Sequence, residues 1–254
     1  MLKKRLHTLF PPLILASLIF SCQVALYPRA QLPADTDIQL NQSVAADPQA
    51  EALIQPYRQK VTEQMNQVIG RATTELNSRT GKMETNLGNF VADLQQEQAA
   101  GLLGKPVDMG AITNGGLRAL IPRGDVKVGD IFEVMPFENE LLVLTLSGET
   151  VRELFQYAAA RKNISLSNAT FTVRNNKPED IMIGGRPLNL TQTYTIAISD
   201  YLANGGDDLS LLKNALRSEK AGILLREAII RQIRQLTAQN KPIEAAMEGR
   251  VKLL

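Results

Sequence analysis

The sequence predicts an α/β (α+β) fold, a single domain in which helices pack on a mixed β-sheet. Three observations carry that reading. Stripes of apolar residues at helical spacing recur between short runs that alternate apolar and polar residues. Leu141–Leu146 is almost continuously apolar, the pattern of a strand covered on both faces and so of a sheet with helices packed on it. After Glu51 neither a repeat nor a linker-like stretch divides the chain, and about 200 residues in one piece are enough to bury a core.

The elements follow in order. Leu53, Tyr57, Val61, Met65 and Val68 recur at helical spacing and predict a surface-packed helix, with Pro56 in its first turn. Leu87, Phe90, Val91 and Leu94 give the stripe of a second helix that ends by Gly101. Val107–Thr113 reads as a strand running into Gly115-Gly116, and Leu141–Leu146 as the covered strand. Ser147 is an N-cap for a third helix whose face is Val151, Leu154, Phe155 and Ala158. Thr170–Arg174 and Asp180–Ile183 are strand-like, and Gly184-Gly185 is a turn signal. Tyr194, Ile196 and Ile198 alternate in a strand that enters Ala203-Asn204-Gly205-Gly206-Asp207-Asp208. A last helix carries Leu225, Ile229, Ile233 and Leu236, and Arg250–Leu253 closes the fold as a strand.

The N-terminus reads differently. Lys3, Lys4 and Arg5 precede an apolar run from Leu9 to Phe20, the charged and hydrophobic regions of an export signal. The run is shorter than the ~20 residues a spanning helix needs. Ile19-Phe20-Ser21-Cys22 resembles the lipobox of bacterial lipoproteins, which implies a signal over 1–21 and a lipid on Cys22. The expected location is the bacterial cell envelope, with the chain held by that lipid on the periplasmic side or at the outer membrane. Residues 22–50, rich in Pro, Ala, Gln and Asp, read as a tether to a domain spanning 51–254.

Composition excludes several chemistries. The chain carries a net charge of +2, and removing residues 1–21 takes away three basic and no acidic residues, leaving −1. That balance, with 5% aromatic residues and no Trp, gives no case for nucleic-acid binding. The one Cys is Cys22, so no intrachain disulfide forms. The one His is His7, so beyond the signal there is no His general base, no Ser-His-Asp triad and no His-rich metal site.

Two glycine-rich loops each follow a strand: Thr113-Asn114-Gly115-Gly116-Leu117-Arg118 and Ala203–Asp208. Glycine there lets the backbone approach a ligand, and Arg118 and Asp207 offer opposite charges at the loop exits. Neither loop fits the Rossmann or P-loop pattern, and each alone reads as a tight turn.

Together with two further blocks, they carry a resemblance. Glu84–Gln95 (ETNLGNFVADLQ), Ile112–Gly148, Tyr194–Leu209 (YTIAISDYLANGGDDL) and Glu248–Leu253 (EGRVKL) resemble the C-terminal domain of the 5′-nucleotidases over essentially all of 51–254. The second block is the specific one, joining a GGxR loop to a PFxN turn. The resemblance implies that Phe137 and Tyr201 sandwich a nucleobase and that Asp207 binds ribose hydroxyls. It implies further that Arg118 faces the sugar and phosphate side, and it makes Asn114, which abuts Gly115 where relatives often have one more residue between, a further substrate-binding candidate. Tyr201 stands where the family commonly has Phe, Asp208 replaces a usual Gly, and Asn86 or Thr85 replaces an arginine before the LGN turn.

Full-length relatives begin with a metallophosphoesterase domain that this chain lacks. The expectation is therefore a nucleoside 5′-monophosphate recognition domain with no cofactor of its own. A separate metallophosphoesterase chain then supplies the divalent metals. A partner-free nucleotide- or nucleoside-binding protein and a structural domain with a decayed pocket are the other readings.

Overall fold

The apolar stripes of the sequence meet on the two faces of one five-stranded sheet. The computed structural model describes residues 45–80 and 83–254, so the signal, Cys22 and most of the tether lie outside the described residues. Residues 52–254 form one compact unit.

The first helix, α1 (Pro48–Met65), departs from expectation in its start, in the place of Pro56 and in its packing, and it ends before Val68, which belongs to the next strand. It begins earlier than its apolar spacing predicts, because the carboxylate of Asp47 accepts from the backbone N–H groups of Gln49 and Ala50 at 2.8 and 3.2 Å. Asp before Pro is a helix-start signal, and here it lies in the stretch read as tether. Pro56 consequently sits inside the helix rather than in its first turn. None of the helix's residues is buried, so its Leu53-Tyr57-Val61 stripe is exposed rather than packed.

Strand β1 (Val68–Ala72) follows, then α2 (Asn86–Leu103). Thr85 caps α2 by accepting from Gly88 N at 3.0 Å. The helix runs past Gly101 and stops at Gly104, whose φ of 64° ends it in the left-handed region. Strand β2 (Met109–Thr113) leads into a 3₁₀ turn over Asn114–Gly116. Then come β3 (Gly124–Lys127), which pairs with β1, and a short helix α3 (Val128–Val134). Next are β4 (Glu140–Ser147) and α4 (Gly148–Arg161), capped by Ser147 as the sequence predicts, with Thr150 N at 3.2 Å.

Strands β5 (Ile164–Leu166), β6 (Ala169–Arg174), β7 (Lys177–Ile183), β8 (Arg186–Pro187) and β9 (Thr193–Ser199) complete the middle of the chain. One helical turn, α5 (Asp200–Ala203), leads into the second glycine loop. The chain then forms β10 (Arg217–Leu224), α6 (Leu225–Ala238) and β11 (Val251–Leu253).

The main sheet has the order β10-β4-β9-β2-β5, and β11-β6-β7-β8 form a second sheet. Successive β4 side chains enter different cores, as a doubly covered strand requires. Leu141 and Val143 pack with α2 and α6, whereas Leu142, Leu144 and Leu146 pack with α4. In the second core Phe155 meets Phe171 edge to face, with centroids 5.0 Å apart. Among the described residues no helix is long and apolar enough to cross a membrane.

This topology decides where the site lies. Strands β2 and β9 are parallel neighbours, so both end at the same edge of the sheet. β4 runs antiparallel to β9, with Leu141 opposite Ser199, so the turn before β4 arrives at that edge too. Three loops far apart in sequence thus converge where the parallel strands terminate, the usual position of a ligand crevice in such sheets.

Candidate functional site

The three loops enclose a cavity of about 230 Å³. Phe137 comes from the turn before β4, Tyr201 from α5, Asp207 from the second glycine loop and Arg118 from the first, and all four line it. Phe137 and Tyr201 are 39% and 51% exposed, so neither ring is a core residue. The Arg118 guanidinium lies 5.9 Å from the centroid of the Phe137 ring, a cation–π distance, and Nη1 donates to Gly115 O at 3.4 Å.

Asn114 is placed differently from the other four. It does not line the cavity; its backbone N–H donates to Asn163 O at 2.7 Å and its side-chain oxygen takes Ser165 Oγ at 3.5 Å. Its role in the structure is to hold the first glycine loop against the end of α4.

The carboxylate of Asp207 already has two partners. Thr113 Oγ1 donates to Oδ2 at 2.6 Å and Tyr201 Oη donates to Oδ1 at 3.0 Å. The Tyr201 ring lies close against the loop, and a Cβ on Gly206 would fall 2.5 Å from its Cε1. Any larger residue there would displace the Tyr201 ring. Gly205, Asp207 and Asp208 take φ of 88°, 53° and 65°, and a non-glycine residue in this region costs about 1–3 kcal/mol.

Helix α4 offsets that strain. Tyr157 Oη donates to Asp207 O at 2.8 Å, and Arg161 pairs with the Asp208 carboxylate one turn further on. Burial raises the Tyr157 pKa above its ordinary value, with the Asp207 charge pushing the same way. The charge of Asp208, the residue that replaces a usual Gly, is thus paired with a guanidinium.

Several site residues escape a motif reading. Asp200 Oδ1 accepts from Glu140 N at 3.1 Å and from Tyr201 N at 2.8 Å, tying together the segments that carry the two rings. Thr113, the first residue of the first glycine loop, and Asn139, the last residue of PFxN, also line the cavity, though the sequence motifs assign neither of them a binding role. Thr85 and Asn86, the positions expected to replace an arginine, have structural work: Thr85 caps α2, and Asn86 bonds Asn77 N and Glu75 O. The arginine that reaches the first glycine loop is Arg79, which donates to Arg118 O at 2.6 Å.

A larger, open groove of about 670 Å³ lies between α2 and the β6–β7 hairpin. Its charges satisfy one another: Arg250 binds Asp93 through both terminal nitrogens at 2.7 Å and reaches Glu248 at 2.8 Å. Burial works against the Arg250 charge, but these bonds outweigh it and raise the pKa. Among the described residues no group of three His, Cys, Asp or Glu is placed to hold a metal ion.

Comparison with known proteins identifies the family and the fold. The family model of the 5′-nucleotidase C-terminal domain matches residues 68–214. The trifunctional nucleotide phosphoesterase YfkN of Bacillus subtilis is 28% identical over 234 residues, covering 84% of this chain and 16% of its own length. A 5′-nucleotidase of Vibrio vulnificus is 28% identical over 199 residues, covering 75% of this chain and 34% of its own. The chain therefore spans about a third or less of these relatives. The crystal structure of a 5′-nucleotidase precursor from Thermus thermophilus superposes with a TM-score of 0.70 at 27% identity, over 81% of this chain and 43% of that one.

Proposed function

The chain belongs to the 5′-nucleotidase C-terminal domain family, and on that footing we propose that it is the nucleotide-recognition part of a split 5′-nucleotidase. Phe137 and Tyr201 stack a nucleobase, which suits a site tolerant of several bases because every base has a π-face. Asp207 accepts from ribose hydroxyls, and Arg118 forks onto phosphate oxygens. The reaction is dephosphorylation of a nucleoside 5′-monophosphate. Its divalent metals and attacking hydroxide come from a separate metallophosphoesterase chain, since the one histidine here is His7. Export, and anchoring through a lipid on Cys22, belong to the same proposal.

The supporting observation is the convergence of two half-exposed rings, a carboxylate and a guanidinium on one cavity built from three separate loops. A second reading, a nucleoside-binding protein without an enzyme partner, draws on the cavity's size. About 230 Å³ is below the usual range for small-molecule sites and suits a base better than a whole nucleotide.

A thermal-shift panel of nucleosides and nucleoside monophosphates, run with and without an added metallophosphoesterase, tests both. Stabilisation by monophosphates that depends on the second chain supports the split enzyme. Stabilisation by nucleosides alone supports the second reading. No shift in any condition overturns both and leaves a structural domain.

A further inference from the structure

We infer that Arg226 is a positioning residue for the turn that presents Phe137. This rests on the nucleobase reading of Phe137 for its function, though not for its structural content.

The turn over residues 135–139 joins α3 to β4 and has no regular structure of its own. Its shape has to come from neighbours, and the start of α6 provides it. Arg226 Nη1 donates to Met135 O at 3.4 Å and to Phe137 O at 3.2 Å, while Leu225 N donates to Asn139 O at 2.8 Å. Two adjacent residues of α6 thereby hold alternate carbonyls along the whole turn.

Stability alone is a poor account of an arginine there. Arg226 is 6% exposed, and its Nε has no hydrogen-bond partner. The nearest carboxylate, Glu138, is 4.0 Å away with its side chain 83% exposed, too wet to compensate the buried charge. An apolar side chain would fill this space without that cost. What the planar guanidinium combines is two contacts: Nη1 reaches both of the turn's carbonyls while the face rests 4.2 Å above the Phe132 ring. Phe132 on α3 and the turn are therefore registered through a single guanidinium, which sets the height at which the Phe137 ring stands over the cavity.

The chain has no Trp, so Phe137→Trp places a sole fluorophore on the turn. In that background, on the full chain, Arg226→Met keeps an apolar stem against Phe132 but removes the nitrogen that makes both bonds. We expect lower anisotropy of the introduced indole, greater quenching by acrylamide and about tenfold weaker adenosine binding, all below the melting temperature. Arg226→Lys retains one point donor and is expected to recover part of both signals. It carries the test alone, against the parent, should Arg226→Met fail to fold. Parent-like anisotropy and adenosine affinity in a folded variant, whatever its melting temperature, overturn the inference. If the Phe137→Trp parent itself shows no response to adenosine, the nucleobase reading fails, and the anisotropy comparison still decides whether Arg226 orders the turn.

Discussion

The hydroxyl of Tyr201 donates to Oδ1 of Asp207 at 3.0 Å, and Thr113 holds the other carboxylate oxygen at 2.6 Å. A ribose diol entering the site must therefore compete with a hydroxyl of the protein itself. By ring stacking alone, Tyr201→Phe would be silent, because the substitution keeps the ring. The hydrogen bond changes that expectation. Freeing Oδ1 removes a competitor of about 0.5–1.5 kcal/mol, so Tyr201→Phe should bind ribonucleosides about three- to tenfold more tightly. Calorimetric titration against the 2′-deoxy series checks it, since the gain should be smaller where one hydroxyl is missing.

Phe137 and Phe155 are the same residue in opposite circumstances. Phe155 is fully buried against Phe171, whereas Phe137 is 39% exposed at the cavity. Phe155→Ala should cost ~3–5 kcal/mol of folding stability. Phe137→Ala should barely change stability but weaken nucleoside binding by about 1–3 kcal/mol. Denaturant unfolding and ligand titration on the two variants separate these effects. Lost stability with unchanged affinity at Phe137 would remove it from the site.

How much of this could be read in advance depended on whether an element carries its own pattern. The α4 stripe Val151-Leu154-Phe155-Ala158 and the doubly covered β4 were plain, because each buries apolar residues at a fixed period. Strand β10 was missed: at the edge of the sheet its Arg217-Ser218-Glu219-Lys220 start is mostly solvated, so neither alternation nor apolarity marks it. Helix α3 has seven residues, too few to show a period, and is started by Asp130, whose carboxylate accepts from Lys127 N at 2.7 Å. The glycine loops were visible as motifs, but their supports were not. Tyr157, Asp200 and Arg226 act through backbone atoms of distant segments, and nothing in their local sequence records that contact.

Tyr157 gives a prediction with a pH signature. Burial, aided by the Asp207 charge, raises its pKa above the ordinary value of 10.0, so folding favours the neutral phenol that donates to Asp207 O. A raised folded-state pKa means that the contribution is complete below the unfolded value and is lost as pH climbs through the folded one. Tyr157→Phe should therefore lower stability by about 0.5–1.5 kcal/mol, evenly across roughly pH 6–9. The difference from the parent should shrink only at more alkaline pH. A penalty that changes between pH 6 and 9 would assign the effect to another group.

Arg161 and Asp208 decide whether the second acidic residue of the loop opposes a phosphate. Both side chains are more than half exposed, so their ion pair adds little to folding, about 0–1 kcal/mol. Its consequence lies in the charge presented to a ligand. With Arg161 in place, Asp208→Gly leaves the guanidinium unpaired and should raise the ratio of AMP to adenosine affinity, a gain that diminishes with added salt. Arg161→Ala leaves that carboxylate unpaired and should weaken AMP several-fold more than adenosine, an effect that shrinks as salt is raised. Adding Asp208→Gly to Arg161→Ala should then restore the ratio, since the charge that repelled the phosphate is gone. Titrating both ligands against the four proteins at low and high salt measures this coupling. Equal losses for AMP and adenosine in Arg161→Ala would mean that Arg161 acts only by holding the loop's left-handed backbone.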